Sequence, residues 1–162
     1  MPVPCGNCKL CGKYGAKLPM VVATNEIVTS QGYQIKLKQT LNCKNYGIYM
    51  LQCKKCLTDD GKNIGTYIGQ TTTKFSQRFS GHRQNWLAQF NNSSKIEQDD
   101  KYALFKHFKI KHQKLPAILE EAYNLVFLEQ PNPENLNHRE DYWKHKVTAN
   151  INITRMTTAN IH

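Results

Sequence analysis

The sequence predicts an α+β domain: a small three-stranded antiparallel sheet flanked by helices. Three observations carry this expectation. Two short apolar stretches, Gly47-Ile48-Tyr49 and Tyr67-Ile68-Gly69, read as strands, and the segment 121–129 (EAYNLVFLE) reads as a third. Helical patterns follow, over about 74–90, 99–111 and 134–146. A chain of 162 residues is long enough for one domain with a real core and a small appended module.

The first 18 residues hold Cys5, Cys8 and Cys11 among glycines and lysines, with few core formers. Such a segment does not fold by burial alone, so a metal must organise it. Thiolates two residues apart can bind one zinc ion from a tight turn. Cys43 is the natural fourth ligand, and one spare thiol among the first three is the alternative. The expected organisation is a zinc-binding extension over 1–44, a main domain over 45–155 and a tail over 156–162. Within the extension, strands are expected at 20–24 and 33–38 around a Ser30-Gln31-Gly32 turn, because Tyr33, Ile35 and Leu37 alternate with polar residues.

Between the first two strands of the main domain, Asp59-Asp60-Gly61 reads as turn chemistry. Thr72 or Thr73 can cap the helix over 74–90, which offers Phe75, Phe79, Trp86, Leu87 and Phe90 for its apolar stripe. Arg78 and His82, four apart, lie on one face of it. The helix over 99–111 combines Ala103, Leu104, Phe105 and Phe108 with lysines, and Leu115-Pro116 ends it. Pro131 and Pro133 close the third strand, and Glu140 sits in the middle of the last helix.

Composition narrows the function. With 40% hydrophobic and 21% charged residues, the chain is not wholly disordered. No run approaches the roughly 18 apolar residues that span a bilayer, and Met1-Pro2-Val3-Pro4 does not read as a signal sequence. The expectation is an intracellular protein with no membrane partner, whose cysteines bind metal or stay reduced. The net charge of +10 is uneven: residues 61–115 carry ten Lys/Arg against three acids, whereas 116–162 carry four against six. A polyanionic partner suits that excess.

Cys53-x2-Cys56 and His107-x4-His112 have spacings usual for a tetrahedral zinc site. Five residues rotate a helix well off one face, so the helix is expected to end between the two histidines. Four protein ligands leave no open position, so this zinc is structural.

The GIY and YIG motifs, the Arg78-x3-His82 helix and a later helix bearing Glu140 together resemble a GIY-YIG nuclease domain. With cysteines between the motifs, the stretch 43–152 is more specifically similar to the endonuclease domain of Penelope-like retroelements, where a CCHH zinc motif places its cysteines there. The resemblance implies DNA as substrate and a catalytic Mg²⁺ (or Mn²⁺) on Glu140, with Asp141 as the alternative ligand. One carboxylate plus waters and substrate phosphate suits that ion. It also implies that Arg78 grips the scissile phosphate, a task for which its planar fork is suited. Tyr49 is the implied general base, activated by its cationic neighbours Arg78, His82 and the metal, while Tyr67 positions water or phosphate and His82 relays a proton or holds Tyr49.

The family's terminal asparagine aligns best with Asn152, or with Asn150, although the proline and glycine that usually accompany it are missing here. The implied role is nicking of target DNA to give a 3′ hydroxyl for reverse transcription, in the nucleus. Element RNA and the reverse transcriptase of the same polyprotein would be partners. The alternatives are a repair or structure-specific nuclease of the same fold and a non-catalytic zinc-stabilised nucleic-acid-binding module.

Overall fold

A computed structural model of the chain describes residues 21, 24–29, 32–60, 65–91, 102–112, 114–149 and 151–152. The fold is α+β. Its central sheet consists of β3 (Gly47–Cys53), β4 (Thr66–Thr71) and β5 (Tyr123–Glu129), in the order β4-β3-β5 with both pairings antiparallel. An accessory hairpin pairs β1 (Glu26–Val28) with β2 (Gln34–Lys36). The helices are α1 (Lys54–Asp60), α2 (Phe75–Asn91), α3 (Ala103–Lys111), α4 (Leu119–Ala122) and α5 (Leu136–Lys146), the last entered through a 3-10 turn at Pro133–Asn135.

β3 is apolar at nearly every position because it is the middle strand and both of its faces are covered. Successive side chains of a strand point to opposite faces. Tyr49, Leu51 and Cys53 therefore join Phe127, Leu125 and Tyr123 on one side, where α2, α3 and α4 add Phe75, Phe79, Trp86, Phe105, Phe108 and Leu119. Ile48 and Met50 join Ile68, Val126 and Leu128 on the other, against Leu136 and Trp143 of α5 and Ile27 of the hairpin. The sheet is thus the middle of three layers.

Several expectations are corrected. The first strand of the hairpin begins at Glu26, not Met20. Thr24 Oγ1 donates to the Glu26 carbonyl and accepts from its amide, which turns the chain just before the strand, and Val21 instead bridges Leu125 in parallel. Residues 20, 22 and 23 lie outside the described ones, as do Ser30 and Gln31 of the turn. Asp59 and Asp60 end a helix rather than forming a loop turn. Glu121 belongs to the helical turn α4 and not to a strand. Glu120 anchors that turn: its carbonyl accepts from Lys54 Nζ at 2.7 Å and its carboxylate from Arg83 Nε at 2.6 Å.

In α2 the buried positions are Phe75, Phe79, His82, Trp86 and Gln89. Leu87 is exposed and Phe90 packs at the edge of the cluster, so the stripe expected through them runs through His82 and Gln89 instead. The first turn of α2 is tied down by backbone: the amides of Phe75 and Ser76 donate to the carbonyls of Asn45 and Cys43. Among the described residues no helix is long and apolar enough to cross a membrane.

Candidate active site and metal centre

Cys53 ends β3 and Cys56 lies in the first turn of α1, so one strand-to-helix junction presents both thiols inward. α3 carries His107 and ends at Lys111. His112 then takes extended backbone, with φ −127° and ψ 144°, which swings its ring back beside His107. The four potential ligand atoms lie within 4.8 Å of one another. Cys53 Sγ is 3.4 Å from His112 Nε2, and Cys56 Sγ is 3.4 Å from both His107 Nε2 and His112 Nε2. A tetrahedral zinc ion with ordinary Zn–S and Zn–N bonds needs S···N edges of about 3.5 Å. The donor set and its spacing therefore fit a metal such as zinc. Burial, then the neighbouring His112, hold the His107 imidazole down at about 4, leaving it neutral as a ligand requires.

Gly65, at the entrance to β4, was missed by sequence reasoning. A Cβ there would fall 2.5 Å from Cys53 Cβ, 2.8 Å from Cys56 Sγ and 3.0 Å from His107 Nε2. The cluster packs directly against its bare backbone. Only a glycine two residues before the YIG motif marks this in the sequence, and a glycine alone does not say what approaches it.

The second constellation lies on the same side of β3. Tyr49 is fully buried, and its hydroxyl lies 2.7 Å from His82 Nε2. Tyr67, half-buried, has its ring 6.5 Å from Tyr49 and 6.0 Å from His82. The half-buried Arg78 lowers the Tyr49 pKa and the more weakly felt charge of Glu140 raises it. Tyr49, Tyr67, Arg78 and His82 thus come from two strands and one helix to one side of the sheet, whereas Glu140 stands on α5 at the other side, bonded to Gln70.

Glycines make that approach possible. A side chain at Gly69 would collide with the Tyr49 ring, and one at Gly47, where φ is +139°, would collide with the Glu129 carbonyl at the irregularity in the β3–β5 register.

The electrostatics correct one expectation. Burial raises the Tyr49 phenol well above its ordinary value, and Tyr67 adds to this; Arg78 opposes the shift without cancelling it. Burial, then Arg78, also push His82 down to about 3. His82 is therefore not a cation at neutral pH, and the protein groups around Tyr49 favour its neutral phenol. A neutral phenol facing a neutral imidazole is the state these surroundings favour.

Glu140 faces inward from α5, whereas Asp141 is exposed. Gln70, next to the YIG motif, donates from one amide nitrogen to Glu140 Oε2 and to Asn137 Oδ1, each at 2.6 Å. Lys144 Nζ lies 3.5 Å from Glu140 Oε1, and the lysine is itself buried. Sequence reasoning missed Gln70, Asn137 and Lys144; the i,i+4 spacing of Glu140 and Lys144 was the available signal.

Asn152 is buried, and both ends of its amide bond Ile68: Oδ1 accepts from the Ile68 amide at 2.9 Å and Nδ2 donates to the Ile68 carbonyl at 3.2 Å. It pins the centre of the YIG strand rather than presenting its amide to a substrate, so its expected catalytic role becomes a positioning one. Asn150 lies outside the described residues, as do Cys5, Cys8 and Cys11 of the expected N-terminal zinc site. Their expected partner Cys43 is buried within the apolar cluster under β3.

Comparison of the chain with known protein families, with characterised proteins and with solved structures finds no match.

Proposed function

We propose that this chain is a GIY-YIG-type DNA endonuclease that hydrolyses a phosphodiester with the help of a divalent cation and is braced by a structural zinc ion. The clustering of Tyr49, Tyr67 and His82 on one side of the sheet beside the half-buried Arg78, with Glu140 held by Gln70 of the same strand as Tyr67, carries the reading, because these motif residues come from separate elements. Hydrolysis requires an attacking water, neutralisation of charge growing on the phosphate and stabilisation of the departing 3′ oxygen. The Arg78 guanidinium supplies a planar fork for the phosphate oxygens. Tyr49, buried and fixed by His82, serves as a positioning group beside that guanidinium. Tyr67 offers a half-buried hydroxyl to water or phosphate at the same place.

Glu140, held by Gln70, is the carboxylate that would hold Mg²⁺ or Mn²⁺. Such an ion, when bound, acidifies water and neutralises the leaving oxygen. Released ends would be a 3′ hydroxyl and a 5′ phosphate. We read the biological setting as nuclear target-primed reverse transcription in a retroelement, with element RNA and the reverse transcriptase as partners. The motif resemblance alone supports that setting.

One observation favours a second reading, a non-catalytic zinc-stabilised nucleic-acid-binding module: the phenol of the first motif is shut away from solvent. Nicking of supercoiled plasmid with Mg²⁺ separates the two. The enzyme reading expects relaxation by the wild type and a loss of at least about 100-fold in Arg78→Ala and Glu140→Ala, the scale for removing one transition-state contact. Cleavage that survives both substitutions would remove the mechanism, and DNA binding without cleavage by the wild type would favour the module.

A further inference from the structure

The segment from Tyr102 to Ile118 contains Lys106, Lys109, Lys111 and Lys114 and no acidic residue. Most of it is α3, whose inner face of Leu104, Phe105 and Phe108 packs on Trp86, with ring separations of 4.9 Å to Phe105 and 5.9 Å to Phe108. The outer face is a ridge formed by Lys106 and Ile110, four residues apart, with Lys109 beside it. Ile110 is 67% exposed. Lysines in the last turn of a helix complement its dipole, which accounts for Lys109 and Lys111. It does not account for the apolar side chain exposed on the ridge.

Both ends of α3 are anchored at the sites already described. Near its start, Tyr102, Leu104 and Phe105 line a cavity of about 10 Å³ together with His82. Leu104 is fixed further by its carbonyl, which accepts from Tyr123 Oη at 2.7 Å. At its other end stand His107 and His112 of the metal cluster. A nine-residue helix is about 13.5 Å long. The lysines are therefore held on a rigid rod that starts beside the candidate active site and runs away from it.

We propose that the outer face of α3 is a docking surface for the sugar–phosphate backbone of duplex DNA, gripping phosphates adjacent to the one cleaved. This rests on the endonuclease reading and adds to it the surface that holds the substrate. Charge complementarity selects the occupant: an acid-free basic rod on a chain of net charge +10 matches a polyanion with regularly spaced phosphates. Contacts of this kind position the duplex and carry no sequence information.

The test uses the full chain with Glu140→Gln to prevent cleavage, a fluorescent duplex, and affinity measured against salt concentration. In that background, Lys106→Gln/Lys109→Gln/Lys111→Gln should reduce the log–log salt slope by about two to three and weaken binding at least about tenfold near physiological salt. Lys36→Gln/Lys38→Gln/Lys44→Gln removes the same net charge elsewhere and should leave the slope nearly unchanged. Equal slopes in the two triple variants would overturn the proposal, as would binding to anionic lipid vesicles in place of duplex. Failure of the parent chain to bind duplex at any salt would sink the endonuclease reading as well, whereas duplex binding indifferent to the α3 lysines would sink only this surface. Circular dichroism and zinc content of each variant establish that it is folded.

Discussion

Replacing Gly65 with alanine perturbs the metal centre without removing a ligand. The new Cβ would lie 2.5 Å from Cys53 Cβ, 2.8 Å from Cys56 Sγ and 3.0 Å from His107 Nε2. Carbon atoms pack comfortably at about 3.5–4.0 Å, so something must retreat by roughly 1 Å. Cys53 cannot easily do so. Its amide donates to the Gly65 carbonyl at 2.7 Å, and its strand is paired on both sides. The backbone at residue 65 must therefore back away from Cys53, and Cys56 and His107 must shift with it, whereas metal–ligand distances tolerate only about 0.2 Å. Overpacking of this kind costs about 1–3 kcal/mol in stability. Zinc affinity should fall at least about tenfold, the scale for disturbing the surroundings of a metal ligand. Competition against a chromophoric chelator measures the affinity, and urea unfolding with and without zinc measures the stability. An alanine variant with wild-type zinc affinity would refute this packing of the centre.

Three further substitutions probe the neighbouring groups. Asn152→Leu strands the amide and carbonyl of Ile68 in the interior and should destabilise the domain by about 2–4 kcal/mol in urea unfolding; a change below about 0.5 kcal/mol would contradict the pinning role. Lys144→Met removes the cation beside Glu140 and should tighten Mn²⁺ binding, followed by calorimetry, by about fivefold; weaker binding would mean that Lys144 supports the ion instead of competing with it. His82 is neutral in the folded chain down to about pH 3, while an unfolded histidine takes up its proton near pH 6.5. The unfolded state therefore binds more protons between those values, so this contribution is complete above pH 6.5 and is lost as pH falls toward 3. Relative to His82→Phe, the wild type should lose up to about 1.4 kcal/mol per pH unit across that window; parallel stability profiles would contradict the burial of a neutral His82.

Much of the sheet and three of the helices, α2, α3 and α5, were legible because hydrophobic periodicity marks them directly. β3, β4 and the bulk of β5 are short apolar runs, and α2 and α5 begin where threonine or proline signals place them. The break between His107 and His112 was legible from geometry, since both rings reach one point only if the helix stops. α1 and α4 were not. Each is a single turn or two whose sequence, KKCLTDD or LEEA, reads as loop or strand end, and the contacts holding Glu120 come from residues 66 and 37 positions away. The exposure of Leu87 and burial of Gln89 follow from which side of α2 meets the sheet, a tertiary choice that propensity does not encode. In the candidate site Tyr49, Arg78, His82 and Glu140 were singled out by their motifs and spacing. The protonation states of Tyr49 and His82 were not legible, because a phenol's or imidazole's pKa depends on how much water surrounds it, and strand or helix patterning does not reveal that both are buried.

The most direct measurement of the central claim is the chemistry of the ends that the chain leaves on DNA. Plasmid incubated with the wild type and Mg²⁺ is supplied to a DNA polymerase with labelled nucleotides, alongside plasmid treated with Glu140→Gln. The account predicts incorporation from 3′ hydroxyl ends after wild-type treatment and background incorporation after the variant. Intact plasmid with the wild type, or breaks bearing 3′ phosphates that no polymerase can extend, would contradict it.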